Sequence, residues 1–200
     1  MDKITVKRTK SSVIDQMKRA ILQGEFEPGQ ELVQEDLADR LQVSRTPIRE
    51  TLHALEDEGF VQRLPNRHVQ IAQFDAGANR DIVSIICVIE QELLRLQTEK
   101  GTGWLPGFQA CAAAFSRTPC TETSIALHMS LSENLENLYL RKLHLRLVRG
   151  YFRYILEAIP AQAPAAGEAL AAFAARVCAG DAEGACGDLD TYFDLIRQQL

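Results

Sequence analysis

The sequence predicts a mostly α-helical chain in two parts: three helices with a two-stranded hairpin, then an all-helical bundle. Three observations carry this. A helix with both ends marked runs across residues 44–60. Two short alternating segments follow it, at 60–64 and 68–72. From Arg80 onward nothing alternates as a strand does, and breakers divide the chain into six helical stretches.

The elements follow in order. Residues 1–10 are a basic arm with Lys3, Lys7, Arg8 and Lys10. Ser11 and Ser12 are placed to cap a helix through about Gln23. Val13, Ile14, Met17, Ala20 and Ile21 form its apolar side, and Gly24 ends it. Phe26 and the Pro28-Gly29 turn bring the chain back. Residues 34–41 read as a short helix with Leu37, Ala38 and Leu41 on one side, and 42–44 as a three-residue turn.

The next helix is the one the first part is built around. Ser44 is a good N-cap, because its hydroxyl can accept from the free N–H groups of the first turn. Pro47 lies in that turn, where its missing N–H costs nothing. Gly59 supplies a left-handed residue to stop the helix. Ile48, Leu52 and Leu55 make the buried stripe, and Arg45, Thr46 and Arg49 stand off it at the N-terminal end. Residues 60–64 and 68–72 then form a hairpin around the turn at 65–67.

Residues 74–79 read as a linker between a first domain, 1–73, and a second, 80–200. The six helices of the second are expected near 80–100, 105–116, 121–137, 139–159, 163–179 and 182–199. Gly101, Gly103, Pro106, Pro119, Pro160, Pro164 and Gly180 separate most of them. On the fourth, Lys142, Arg146, Arg149 and Arg153 recur along a solvated face. Opposite them, His144, Leu147, Tyr151 and Ile155 form an inward stripe.

Helix, tight turn, capped helix is the helix-turn-helix unit, whose second helix reads DNA, and a following hairpin makes it winged. Two arginines and a hydroxyl offered from the first turns suit the major groove. Arginine forks onto a guanine edge or a phosphate. The net charge of −5 over 200 residues is not that of a typical DNA binder. Residues 1–73 hold 11 Lys and Arg against 12 Asp and Glu. What phosphates meet is the local cluster of basic residues, including Arg45, Arg49, Arg63 and Arg67.

The totals exclude other classes. No apolar run reaches membrane-spanning length, and the start is too charged for a signal peptide, so the expected location is the cytoplasm. Five cysteines, with no Cys-x-x-Cys pair, read as reduced thiols. Neither a nucleophile with its base nor a glycine-rich phosphate loop is spaced for catalysis, so the chain is not read as an enzyme.

These residues also carry a resemblance. Gly24, Pro28-Gly29, Leu37-Ala38, Val43, Ser44-Arg45-Thr46-Pro47, Arg49-Glu50, Leu52, Leu55 and Glu58-Gly59 resemble the winged helix-turn-helix of GntR-family bacterial transcription regulators, across most of residues 11–75. The resemblance implies a homodimer on a pseudo-palindromic double-stranded operator. Ser44, Arg45, Thr46 and Arg49 would sit on the major groove and Arg67 and His68 at the wing tip, near a minor groove. The family commonly has glycine where His68 stands.

Residues 80–200 more weakly resemble the all-helical effector domain of the FadR-type branch, the FCD fold, in its six-helix, VanR-like version. Glu90, Leu127-His128, Asn134 and Gly180-Asp181 carry that match. Many members hold a divalent metal with one aspartate and three histidines. At the matching positions this chain has Ser124, His128, Leu170 and Tyr192, so no metal and no cofactor are expected. The resemblance then implies a metal-free, mostly apolar pocket for a small organic effector, near Glu90, His128, Arg149 and Tyr192. The alternative is a ligand-independent regulator whose second domain only dimerises. The expected function is a DNA-binding transcription regulator, a repressor, tuned by that effector.

Overall fold

A computed structural model gives the fold and describes residues 10–22, 25–66, 68–73, 76–158 and 164–200. The chain divides into two units, Met1–Phe74 and Asp75–Leu200. Gly24, Arg67, most of the basic arm and the first two linker residues lie outside the described residues.

The first unit holds α1 (Lys10–Leu22), β1 (Glu31–Leu32), α2 (Gln34–Leu41), α3 (Arg45–Asp57), β2 (Val61–Arg63) and β3 (Val69–Ile71). Val13, Met17 and Ile21 of α1 and Ile48, Leu52 and Leu55 of α3 are buried, as is Leu37 of α2. Burying such a side chain contributes about 1.5–3 kcal/mol, so these stripes fix which face of α3 is left for solvent. Ser11 and Ser12 fall inside α1 rather than before it, so neither stands at its N-cap.

The sheet has three strands in the order β1-β3-β2, all antiparallel. The third strand, β1, is an addition to the two-stranded wing the sequence predicts. Two residues are too short to alternate visibly, and Glu31 and Leu32 pair because Gln70 and Val69 present a free edge.

Both ends of α3 are made differently from one another. At its C-terminus Gly59 takes φ 82°. Its N–H donates to Glu56 O at 3.1 Å, and Phe60 N–H donates to Leu55 O at 2.8 Å. This double closure is the Schellman motif, which needs a left-handed residue and so favours glycine. At the N-terminus Ser44 is extended, but its side chain makes no capping bond. The expected hydroxyl cap is therefore absent and the Ser44 side chain stays exposed. The preceding turn is closed by Gln42, the one non-glycine at positive φ, 53°, among the described residues.

The second unit holds α4 (Ala76–Glu99), α5 (Leu105–Arg117), α6 (Thr121–Glu133), α7 (Leu138–Leu147), a π turn (Val148–Phe152), α8 (Arg153–Ala158), α9 (Pro164–Ala179) and α10 (Ala182–Gln198). Residues 76–79, read from sequence as linker, belong to α4. Alanine and asparagine there do not stop a helix, and the one break signal, Gly77, is tolerated in the first turn of α4. The expected helix at 121–137 ends at Glu133, because Asn137 starts the next one by accepting from Tyr139 and Leu140 N–H.

The predicted helix at 139–159 is interrupted by the π turn. A π turn carries one extra residue and shifts every later side chain around the axis. The buried stripe is therefore His144, Val148, Phe152 and Ile155, whereas Leu147 and Tyr151 are half-buried. Phe108, Phe152, Phe173 and Phe193 are fully buried at the centre of the bundle.

Candidate functional sites

In the first unit, Ser44, Arg45, Thr46 and Arg49 are all exposed on the N-terminal end of α3, opposite its buried face. Arg45 is ion-paired with Glu35 of α2. Arg49 makes no ion pair among the described residues. His68 is exposed beside β3, and its Nδ1 lies 2.8 Å from Glu31 Oε2 of β1. Its N–H donates to Asn66 Oδ1 at 3.1 Å, which fixes the turn without a glycine. A rigid helix thus presents two guanidinium groups and two hydroxyls outward, a donor-rich surface matched to phosphates and guanine edges.

In the second unit the predicted side chains lie inside. Glu90 of α4 is fully buried between two imidazoles. His128 Nδ1 is 2.7 Å from Glu90 Oε2, and His144 Nε2 is 3.0 Å from Glu90 Oε1. His144 Nδ1 meets Ser132 Oγ at 2.7 Å. Burial alone would push the Glu90 carboxyl up. The charge interaction with His128 and the hydrogen bonds from both imidazoles outweigh burial and hold the carboxyl below its ordinary value. His128 Nε2 is buried and has no hydrogen-bond partner. Its ring is packed by Phe152, Tyr192 and Phe193, with centroids at 5.0, 5.3 and 5.8 Å.

Tyr192 lies inside the bundle, and it and Ser124 line the same cavity. Burial pushes its phenol far above the ordinary value, so it is a neutral hydroxyl. Ser124, Leu170 and Tyr192 together line a cavity of about 480 Å³. Arg149 is not brought to this place. It is exposed, with Nε 3.4 Å from Met129 Sδ.

His144 is the residue that sequence reasoning placed inward without giving it a role. An unpaired histidine in an apolar stripe was the available signal. The five thiols are free, and Cys87 is the most buried. Burial, then its hydrogen bond to Asp190, pushes the Cys87 thiol up to about 12, so it is a poor nucleophile.

The likeness to known proteins is strongest in the first unit. A model of the gntR family of bacterial regulatory proteins matches residues 9–71. The N-terminal unit is thus similar to the gntR family of bacterial regulatory proteins. Over 77 residues the chain is 34% identical to the Nta operon transcriptional regulator of Aminobacter aminovorans, covering 38% of this chain and 37% of that one. It is 32% identical over 82 residues to the HTH-type transcriptional regulator YdhC of Bacillus subtilis, covering 41% and 37%. The chain thus spans little more than a third of the length of these curated relatives.

Likeness to solved structures extends over nearly the whole chain. GntR of Rhodococcus sp. RHA1 superposes with a TM-score of 0.68 at 20% identity, over 95% of this chain and 96% of that one. McbR/YncC of E. coli gives 0.65 at 21%, over 95% and 97%. At such identity the likeness shows the fold alone: a winged helix-turn-helix followed by a helical unit.

The metal implied by the FadR-type resemblance is tested by the donors present. Leu170 offers no lone pair, Ser124 and the neutral phenol of Tyr192 are weak ligands, and His128 Nε2 stands alone. Among the described residues no group of three or more His, Cys, Asp or Glu is arranged to hold an ion. This donor set does not fit the family's metal.

Proposed function

We propose that this chain is a sequence-specific DNA-binding transcription regulator, acting as a repressor and as a homodimer on a pseudo-palindromic operator. A small organic effector in the helical unit tunes its affinity. The observation that carries the DNA-binding reading is the outward display of Arg45, Thr46 and Arg49 on a helix whose other face is locked in a core. The GntR match across residues 9–71 supports it.

The dimer rests on a different observation. Ile85 and Val88 of α4 and Leu138, Tyr139 and Leu143 of α7 are large apolar side chains left exposed on two helices in contact. Exposed large apolar side chains on neighbouring helices are what a self-complementary interface covers. The cavity beside Tyr192 supports the effector. An effector shifts DNA affinity only by binding two arrangements of the dimer unequally.

The deciding experiment selects DNA from a random pool with the full chain. A selected site with two related half-sites, one helical turn apart or a multiple of it, is expected. Recovery of no preferred sequence would remove the regulator reading.

A further inference from the structure

We infer that the cavity between α5, α6, α9 and α10 takes an uncharged, largely apolar molecule, held by one hydrogen bond to the Tyr192–Ser124 hydroxyl pair. This rests on the effector reading above and gives the effector its chemical class.

The walls make the case. Phe115, Leu156, Leu170 and Ile196 supply apolar surface from four elements. No lysine, arginine or histidine lines the cavity among the described residues. The stretch between Ala158 and Pro164 contributes no charged residue to the sequence either. Among the described residues the one charged lining residue is Glu168, which is exposed and repels an anion. A carboxylate entering here would lose its hydration and meet no cationic side chain among the described residues, at a cost far above that of an uncharged group. A volume of about 480 Å³ is that of a site for a small organic molecule.

The polar contact is equally specific. Tyr192 and Ser124 both line the cavity, and each brings one hydroxyl proton. A hydroxyl proton of this pair meets a carbonyl or hydroxyl oxygen of the ligand. Tyr192 is also packed against His128, whose Nδ1 is bonded to Glu90 of α4. The anchor for the ligand is thus two contacts from the first helix of the unit.

The α9 wall is built from small residues, and this provides a clean test. A Cβ added at Gly167 meets no atom within 4 Å. Gly167→Phe therefore fills the cavity without touching backbone, and Ala171→Phe, at an exposed position of the same wall, is the second variant if the first does not fold. The probes are N-phenyl-1-naphthylamine, which is neutral, and 8-anilinonaphthalene-1-sulfonate, its anionic counterpart, titrated into the full chain by fluorescence.

The neutral probe should bind at one site per chain. The sulfonate should bind at least about tenfold more weakly, and the folded Phe variant should lose at least about tenfold of the neutral probe's affinity. A preference for 1-naphthol over naphthalene should vanish in Tyr192→Phe. Equal binding of both probes, or neutral binding unchanged by the Phe variants, overturns the inference. A naphthol preference that survives Tyr192→Phe overturns the anchor. Random-pool DNA selection without probe keeps the two readings apart. Selected DNA with no probe binding sinks the ligand class alone, and probe binding with no selected DNA sinks the regulator.

Discussion

The two units handle their polar residues in opposite ways. In the first, Arg45, Thr46 and Arg49 are held outward by a helix whose stability comes from Ile48, Leu52 and Leu55 on the other face. Display and support are separate side chains. In the second, Glu90, His128, His144 and Tyr192 are themselves core. Support and candidate function are the same atoms. The difference teaches where a substitution is informative. A reader residue can be removed to ask about binding alone, whereas a cluster residue also asks about folding.

The comparison breaks first at Glu90. Removing the carboxylate leaves two buried imidazoles without their shared acceptor. Glu90→Ala is expected to cost about 3–5 kcal/mol, as for other broken buried pairs. Urea unfolding followed by circular dichroism measures it, and a loss below that of an ordinary surface change would show that the cluster is not supporting the bundle.

The same residue sets a pH dependence of known sign. The folded state holds the Glu90 carboxyl below its ordinary value of 4.5. A depressed carboxylate contributes stability that is fully present above its unfolded pKa and is lost as pH falls through the folded one. The stability gap between wild type and Glu90→Gln should therefore be constant above about pH 5.5 and shrink on acidification below 4.5. A gap that widens toward acid would reverse the assignment.

The reader gives the next largest effect, and in binding only. Arg45→Ala and Arg49→Ala should each weaken operator binding by about 1–3 kcal/mol. Their unfolding free energies should stay within about 0.5 kcal/mol of wild type, because both side chains are exposed. Gel-shift titration beside urea unfolding tests both halves. Operator affinity unchanged in the double variant would mean that α3 is not the reader.

The smallest expected effect is at Gln42. A non-glycine residue in the left-handed region costs about 1–2 kcal/mol, and glycine returns roughly 0.4–1 of that as unfolded-state entropy. Gln42→Gly should therefore stabilise the first unit by about 0.5–1 kcal/mol. A thermal midpoint that falls would mean that the Gln42 side chain is holding the turn.

How much of this was legible in the sequence follows the same division. The helix-turn-helix was readable because its signals are local: a stripe at helical spacing, Gly59 at φ 82°, and a hairpin turn. Even there, β1 escaped, since its two residues pair with an edge that only the fold creates. In the second unit the helices were readable from their breakers, but the meeting of Glu90, His128 and His144 joins positions 38 and 54 residues away from one another. No local rule supplies that. A further part escaped around the π turn, where Val148 and Phe152 rather than Leu147 and Tyr151 are buried between His144 and Ile155. The linker was misjudged for the opposite reason: Gly77 reads as a breaker, yet it stands in the first turn of α4, where one glycine is tolerated.

The Arg45–Glu35 ion pair has a consequence for search along a genome. Glu35 acts as a counterion tethered to the reader, so Arg45 meets DNA already neutralised. Attraction to arbitrary sequence depends on bare cationic charge and on the release of mobile ions, and an internal partner withholds one unit of each. An exposed pair of this kind is cheap to exchange, so a correctly placed guanine edge or phosphate can still claim the guanidinium. Wrong sites are thereby penalised more than the right one. On the proposed reading of α3, the chain would spend less time on the bulk of the chromosome, and part of its selectivity would come from an acidic residue of the neighbouring helix.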